Sequence, residues 1–142
     1  MTEKSLRLTL GLVAAYHVVT GALALLAPDT FFEEIGNYGV ENSHYVGDVG
    51  TFVLAFGIAL AIAVLRPAWR APLLWLGAVW YGLHTLNHAF DTGEARSEGR
   101  GWADTLLIAF GAVASAWLAR VSERLRPAEP LRAADDFERG AR

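Results

Sequence analysis

Four long apolar segments alternate with short polar ones along the 142 residues of the chain, and nearly all charged side chains lie between the segments. Each segment has close to the ~20 residues that an α-helix needs to cross the hydrocarbon core of a bilayer. The pattern predicts an all-α, polytopic protein integral to the cell membrane, folded as a four-helix bundle within residues 1–126. We expect its membrane helices at about residues 6–27, 44–65, 72–91 and 102–120.

The basic residues predict the orientation of these helices. Of the 12 Lys and Arg residues, only Arg96 and Arg100 fall in the segments that follow the first and third predicted helices. The positive-inside rule therefore places both termini in the cytoplasm, together with a flexible tail at 127–142. Arg66 and Arg70, between the second and third helices, are interpreted as anchors at the membrane interface. The outer side carries nine acidic residues and should attract cations.

The segment after the first predicted helix contains signals for a short helix of its own. Pro28 is typical of a helix start, and Gly36 and Gly39 follow as helix breakers. The aromatic and acidic residues between them favour a helix that lies in the membrane interface. We interpret this segment as an amphipathic connector in the first outer loop.

The third predicted helix carries a stripe of polar side chains in its outer half. His84, His88 and Asp91 stand at i, i+4 and i+7. Asn87, at i+3, lies at the edge of the same arc, which covers roughly a third of the helix circumference at about 100° per residue. Titratable groups are costly inside a membrane and commonly mark functional sites. Asp91 strengthens this interpretation, because the helix dipole disfavours an acid in the last turn unless a cation offsets it.

Polar residues of the other helices are expected at the same end of the bundle. His44 and Asp48 begin the second predicted helix, and Asp104 begins the fourth. Because the helices alternate in direction, these ends should meet the stripe at the outer face. Imidazole and carboxylate suit a divalent ion such as Zn or Fe, and the chain has no cysteine. The predicted metal ligands are His44, Asp48, His84, His88 and Asp91, with His17, Asn87 and Asp104 as secondary candidates.

Several functions fit this pattern. In the first, a water bound to the metal attacks a substrate at the outer surface, which would make the protein a membrane enzyme. In the second, the chain is an accessory subunit of a larger respiratory or transport complex, and the polar cluster is structural. In the third, two histidines from different helices hold haem b. Proton or cation transport is a fourth, disfavoured because only His17 lies deep in the bundle. The expected partners are the lipid bilayer and a homo-oligomer or larger membrane complex, and no nucleic acid.

Glycine and proline stand within or at the ends of the predicted helices, at Gly21, Pro28 and Gly57. Together with the length and the four apolar segments, these positions make the chain similar to the small four-helix bacterial membrane proteins called DoxX-like. The resemblance covers most of the chain and implies a redox or stress role. It assigns no site residue, so the predicted metal site rests on the residues alone.

Overall fold

The computed structural model describes residues 1–36 and 38–126, which form a helical bundle. In chain order its α-helices are α1 (Glu3–Leu26), the one-turn α2 (Pro28–Phe31), α3 (Ser43–Leu65), α4 (Pro67–Phe90) and α5 (Glu98–Leu125). Within the described residues no strand occurs, and Tyr38 and Ala95 form an isolated antiparallel bridge. The all-α class is therefore confirmed, whereas the predicted tail 127–142 lies outside the described residues.

Short helical turns occupy both connections at one end of the bundle. α2 continues into a π-helical turn, Phe32–Gly36, and a 3₁₀ turn, Thr92–Glu94, precedes α5. Pro28 is the first residue of α2, where its fixed φ suits a helix start, as the sequence predicts. We call this end, formed by residues 27–42 and 91–97, the loop end. The opposite end, where α1 begins and α5 stops, is the terminal end.

Three helices, α1, α3 and α5, are long and apolar enough to cross a membrane. α4 has 24 residues but falls outside this set. It carries Arg70, His84, Asn87 and His88, and these polar side chains lower its hydropathy. Three of the four predicted membrane helices are therefore compatible with membrane insertion, while the fourth crossing and the orientation stay predictions.

Side-chain caps fix where three of the long helices begin. Thr2 and Ser5 form a capping box at the start of α1. Asn42 and Ser97 cap α3 and α5, each accepting a hydrogen bond from the backbone N–H three residues further on. Such a cap contributes about 1 kcal/mol by satisfying a helix N–H that has no partner within the helix. α4 instead starts at Pro67, which has no N–H to satisfy.

Glycines allow α1 and α3 to pack closely as an antiparallel pair. A Cβ atom on Gly57 would lie 2.7 Å from the backbone nitrogen of Val18, and one on Gly21 would collide with the backbone of Leu54. Small residues at such positions let two membrane helices approach backbone to backbone. α4 and α5 form the second antiparallel pair, in which the Tyr81 ring packs over Gly111.

Arg70 joins three helices at the terminal end, although only 4% of its surface is exposed. Its Nε donates to the carbonyl of Ala63 and its Nη2 to that of Val64, each over 3.0 Å, in the last turn of α3. Its Nη1 donates to Glu3 in α1, 2.8 Å from Oε1. From the sequence, Arg70 is expected to be only an anchor at the membrane interface. Arg70 instead caps α3 and ties it to α1, because a buried guanidinium needs acceptors on every side.

Candidate functional site

Hydrogen bonds between the two connections close the loop end. Gly39 donates its N–H to the carbonyl of Glu94 over 3.2 Å, and Nη2 of Arg96 donates to the carbonyl of Glu33 over 2.8 Å. Gly39 has φ of +62°, a conformation that glycine adopts without strain. These contacts bring Tyr38 next to the end of α4.

His84 and His88 lie together on one face of α4, as their spacing predicts. The centroids of their rings are 4.6 Å apart. The Tyr38 ring packs edge-on against His88, with centroids 4.5 Å apart and an angle of 70° between the planes. Nδ1 of His88 is buried and has no hydrogen-bond partner among the described residues. A buried polar atom without a partner costs about 1–3 kcal/mol, so this nitrogen requires an explanation.

Asp104 and Arg100 complete the surroundings of His88 from α5. Nε of Arg100 donates to both carboxylate oxygens of Asp104, at 2.9 and 2.8 Å, and the Tyr38 hydroxyl donates to Oδ2 over 3.4 Å. Burial, and then the charge of Asp104, raise the pKa of Tyr38, so the phenol keeps its proton and remains a donor. Asp104 and Asp91 both lie close enough to His88 to act on it electrostatically. The loop end therefore presents two imidazoles with two carboxylates nearby.

The remaining residues of the predicted stripe lie at its margin. Asp91 is exposed at the C-terminal end of α4, where its N–H donates to the carbonyls of Asn87 and His88. Asn87 is exposed beside the histidines. Within the described residues, the side chains of Asp91 and Asn87 form no hydrogen bond with Tyr38.

His44 and Asp48 form a separate pair at the start of α3. Nε2 of His44 lies 3.6 Å from Oδ2 of Asp48, and both side chains are exposed. Across residues 1–36 and 38–126, no group of three or more His, Cys, Asp or Glu side chains is close enough to hold a metal ion. The structure thus does not bring the five predicted ligands together. His44 and Asp48 belong to α3, which packs closely on α1, whereas the histidine pair belongs to α4.

His17 lies deep in the bundle with both ring nitrogens hydrogen-bonded. Nδ1 donates to the carbonyl of Val13 over 2.7 Å, so Nε2 is the acceptor and receives the Tyr81 hydroxyl over 2.8 Å. The rings of Phe56 and Trp80 pack around the imidazole, with centroids 5.2 and 6.0 Å away. His17 is therefore satisfied by α1 and α4 themselves and does not reach the loop end.

Two tyrosines outside the predicted site, Tyr81 and Tyr38, determine these surroundings. Tyr81 stands three residues before His84 and seven before His88, so extending the polar stripe by one turn would have included it. Tyr38 gives no comparable signal, because only the folding of the first connection over α4 brings it to His88.

Neither family models nor searches among curated proteins and solved structures give a match to this chain. The similarity to DoxX-like proteins accordingly stays a prediction.

Proposed function

We propose that this chain is a small integral membrane protein that binds a divalent metal ion, Zn or Fe, through His84 and His88. It crosses the cell membrane four times with both termini in the cytoplasm, and the loop end faces outward. His44 and Asp48 lie outside the proposed site. Catalysis by a metal-bound water stays a prediction.

The observation that carries this proposal is the buried, unpaired Nδ1 of His88 beside a second imidazole. A metal ion would satisfy this nitrogen, and neutral imidazole is a common metal ligand. Asp91 supplies negative charge that a divalent ion requires, since it acts electrostatically on His88. Rotation of one carboxylate towards the histidines would complete a three-ligand site, which leaves positions open for water.

The fourth membrane crossing is supported by the packing of α4 along α5. Nε1 of Trp75 donates to Glu123 over 2.8 Å near the terminal end, and Gly101 lies against the backbone of Thr92 at the loop end. The 24 residues of α4 rise about 36 Å, enough for a hydrocarbon core of ~30 Å. Because α5 is apolar enough to cross a membrane, α4 would occupy the same depth beside it.

A structural role for the polar cluster, as in an accessory subunit, is favoured by the pairing of Asp104. Its carboxylate is already bound by Arg100 and receives the Tyr38 hydroxyl, which ties the first connection to α5. Haem b is not proposed for His17, because the imidazole already uses both nitrogens within the bundle.

Metal content distinguishes these functions. The full chain, purified in detergent and stripped with chelator, is reloaded with Zn²⁺ or with Fe²⁺ under anaerobic conditions, and the metal retained after desalting is measured by mass spectrometry. We expect one equivalent in the unmodified protein and a loss in His84→Ala and in His88→Ala, because few ligands hold the ion. His44→Ala is the matched control, since it removes an exposed histidine of the same end, and it should retain the metal.

Equal metal content in all three variants would overturn the metal proposal. If His84→Ala and His88→Ala instead lower the melting temperature without any metal being bound by the unmodified protein, the structural role is favoured.

A further inference from the structure

A shallow apolar groove lies at the terminal end, where α4 begins. It has a volume of about 300 Å³ and is lined by Ala68, Trp69, Pro72 and Leu73. Trp69 is 45% exposed and forms one wall. The groove is separated from the His84–His88 pair by most of the length of α4.

Beyond the groove, exposed apolar side chains continue along one face of α4. Trp69, Leu76 and Leu83 are all exposed, and their spacing of seven residues aligns them on one stripe of the helix. From Trp69 to Leu83 the helix rises about 21 Å, which exceeds the ~15 Å of hydrocarbon in one leaflet. An extended acyl chain could therefore lie against this stripe over its full depth.

A cation lies beside one wall of the groove. The guanidinium carbon of Arg66 lies 6.0 Å from the centroid of the Trp69 ring. Arg66 is exposed and forms no ion pair with any described residue. A guanidinium held over an aromatic ring keeps its outward donors available for an anion.

The surrounding terminal end is positively charged. Its two acids within residues 1–36 and 38–126 are already engaged, Glu3 by Arg70 and Glu123 by Trp75. The basic residues of this end in the described part of the chain are Lys4, Arg7, Arg66, Arg70, Arg120, Arg124 and Arg126. Charge complementarity therefore favours an occupant with an apolar chain and an anionic head.

We infer that the groove binds an anionic phospholipid. Its phosphate lies at Arg66, and one acyl chain follows Ala68–Leu73 and then the stripe of Leu76 and Leu83. Basic residues next to membrane helices recognise anionic head groups in this way. The site is independent of the metal proposed at the loop end.

The full chain in detergent tests this inference by native mass spectrometry, with phosphatidylglycerol and phosphatidylcholine as the lipid probes. We expect the unmodified protein to prefer phosphatidylglycerol. Arg66→Gln should weaken phosphatidylglycerol binding about fivefold, the effect of one basic residue near a charged surface, and weaken phosphatidylcholine binding less, because the choline cation offsets the charge of its phosphate. Arg124→Gln removes the same charge from the same end without touching the groove, and it should bind as the unmodified protein does. An equal loss in both variants, or no preference for phosphatidylglycerol, would overturn the inference.

The apolar part of the site has its own matched pair of variants. Trp69→Ala should weaken both lipids, whereas Trp102→Ala, at the loop end and similarly exposed at 49%, should weaken neither. Circular dichroism confirms that each variant is folded before it is compared. Binding of glycerol phosphate as tight as that of phosphatidylglycerol would contradict the inference, because the site would then recognise the free anion alone.

Discussion

The Tyr81 hydroxyl donates a hydrogen bond to Nε2 of His17 over 2.8 Å, near the middle of the bundle. This bond links α1 to α4, which otherwise belong to different closely packed pairs of helices. The Tyr81 ring also covers Gly111 of α5, and Phe56 of α3 packs on His17. One polar contact thus stands where all four long helices meet.

Loss of this bond should destabilise the bundle. Tyr81→Phe leaves Nε2 of His17 buried without a donor, and we expect a decrease of about 0.6–2 kcal/mol in the free energy of unfolding, the range for hydrogen bonds between membrane helices. Denaturant titration in detergent micelles, followed by circular dichroism, measures it. Tyr16→Phe is the matched control, because the Tyr16 side chain is exposed. Equal costs for the two variants would show that the bond contributes nothing specific.

Arg70 should stabilise the bundle more by capping α3 than by pairing with Glu3. Arg70→Gln removes the donors to Ala63 and Val64, and we expect a loss of roughly 1.5–3 kcal/mol, the range for hydrogen bonds to charged groups. Glu3→Gln should cost at most about 1 kcal/mol, because the carboxylate is half-exposed. The same unfolding titrations compare the two, and a Glu3→Gln cost as large as that of Arg70→Gln would contradict the capping role.

The contact between Glu41 and Asp29 should make the stability of the folded protein depend on pH. A hydrogen bond with Asp29 raises the pKa of Glu41 above its ordinary value of 4.5, and the single hydroxyl of Ser43 lies within hydrogen-bonding distance of both carboxyl groups. The folded state therefore holds this proton more tightly than the unfolded state. The resulting stability is complete below about pH 4.5 and is lost as pH rises through the raised folded pKa.

Melting temperatures at pH 4 and pH 7 check this dependence. Relative to Glu41→Gln, the unmodified protein should lose stability between the two pH values. Glu34→Gln, which removes another exposed carboxylate of the same connection, controls for the change in net charge. A pH profile of Glu41→Gln that matches that of the unmodified protein would exclude the Asp29 contact as its cause.

The helices could be predicted from the sequence because each depends on local properties: apolar length, a capping residue and a proline at the start of α2 and α4. The His84–His88 face could be predicted for the same reason, since spacing along a helix fixes which residues are neighbours. The position of a residue within the bundle could not be predicted from local sequence in this way. His44 and Asp48 have spacing as suggestive as the His84–His88 pair, yet within the described residues they lie beside each other and join no larger group of possible metal ligands.

Contacts between distant segments explain the remaining differences. The sequence predicts Arg70 as an interface anchor, but in the structure it binds the end of α3 and Glu3. The sequence predicts Asp104 as a secondary metal ligand, but in the structure Arg100 binds its carboxylate. The Arg100–Asp104 contact joins residues four positions apart on α5, so it could be predicted from the sequence. The Arg70–Glu3 contact joins residues 67 positions apart and could not be predicted in this way.

The orientation can be tested directly, because the chain has no native cysteine. Single cysteines at Thr2, Ala68 and Glu98 are labelled in intact cells with a membrane-impermeant maleimide. Only Glu98→Cys should react from outside, and the other two should react after lysis, since the basic residues favour a cytoplasmic terminal end. External labelling of Ala68→Cys would contradict this orientation and would show that the histidine pair faces the cytoplasm.

The most direct test of the metal site is the X-ray absorption spectrum of the zinc-loaded protein at the zinc edge. We expect imidazole nitrogens at about 2.0–2.1 Å from the ion, with the multiple-scattering pattern of two histidines. Both contributions should disappear in the double variant His84→Ala/His88→Ala and persist in His44→Ala. A spectrum with oxygen ligands alone, or one that the double variant leaves unchanged, would contradict the account.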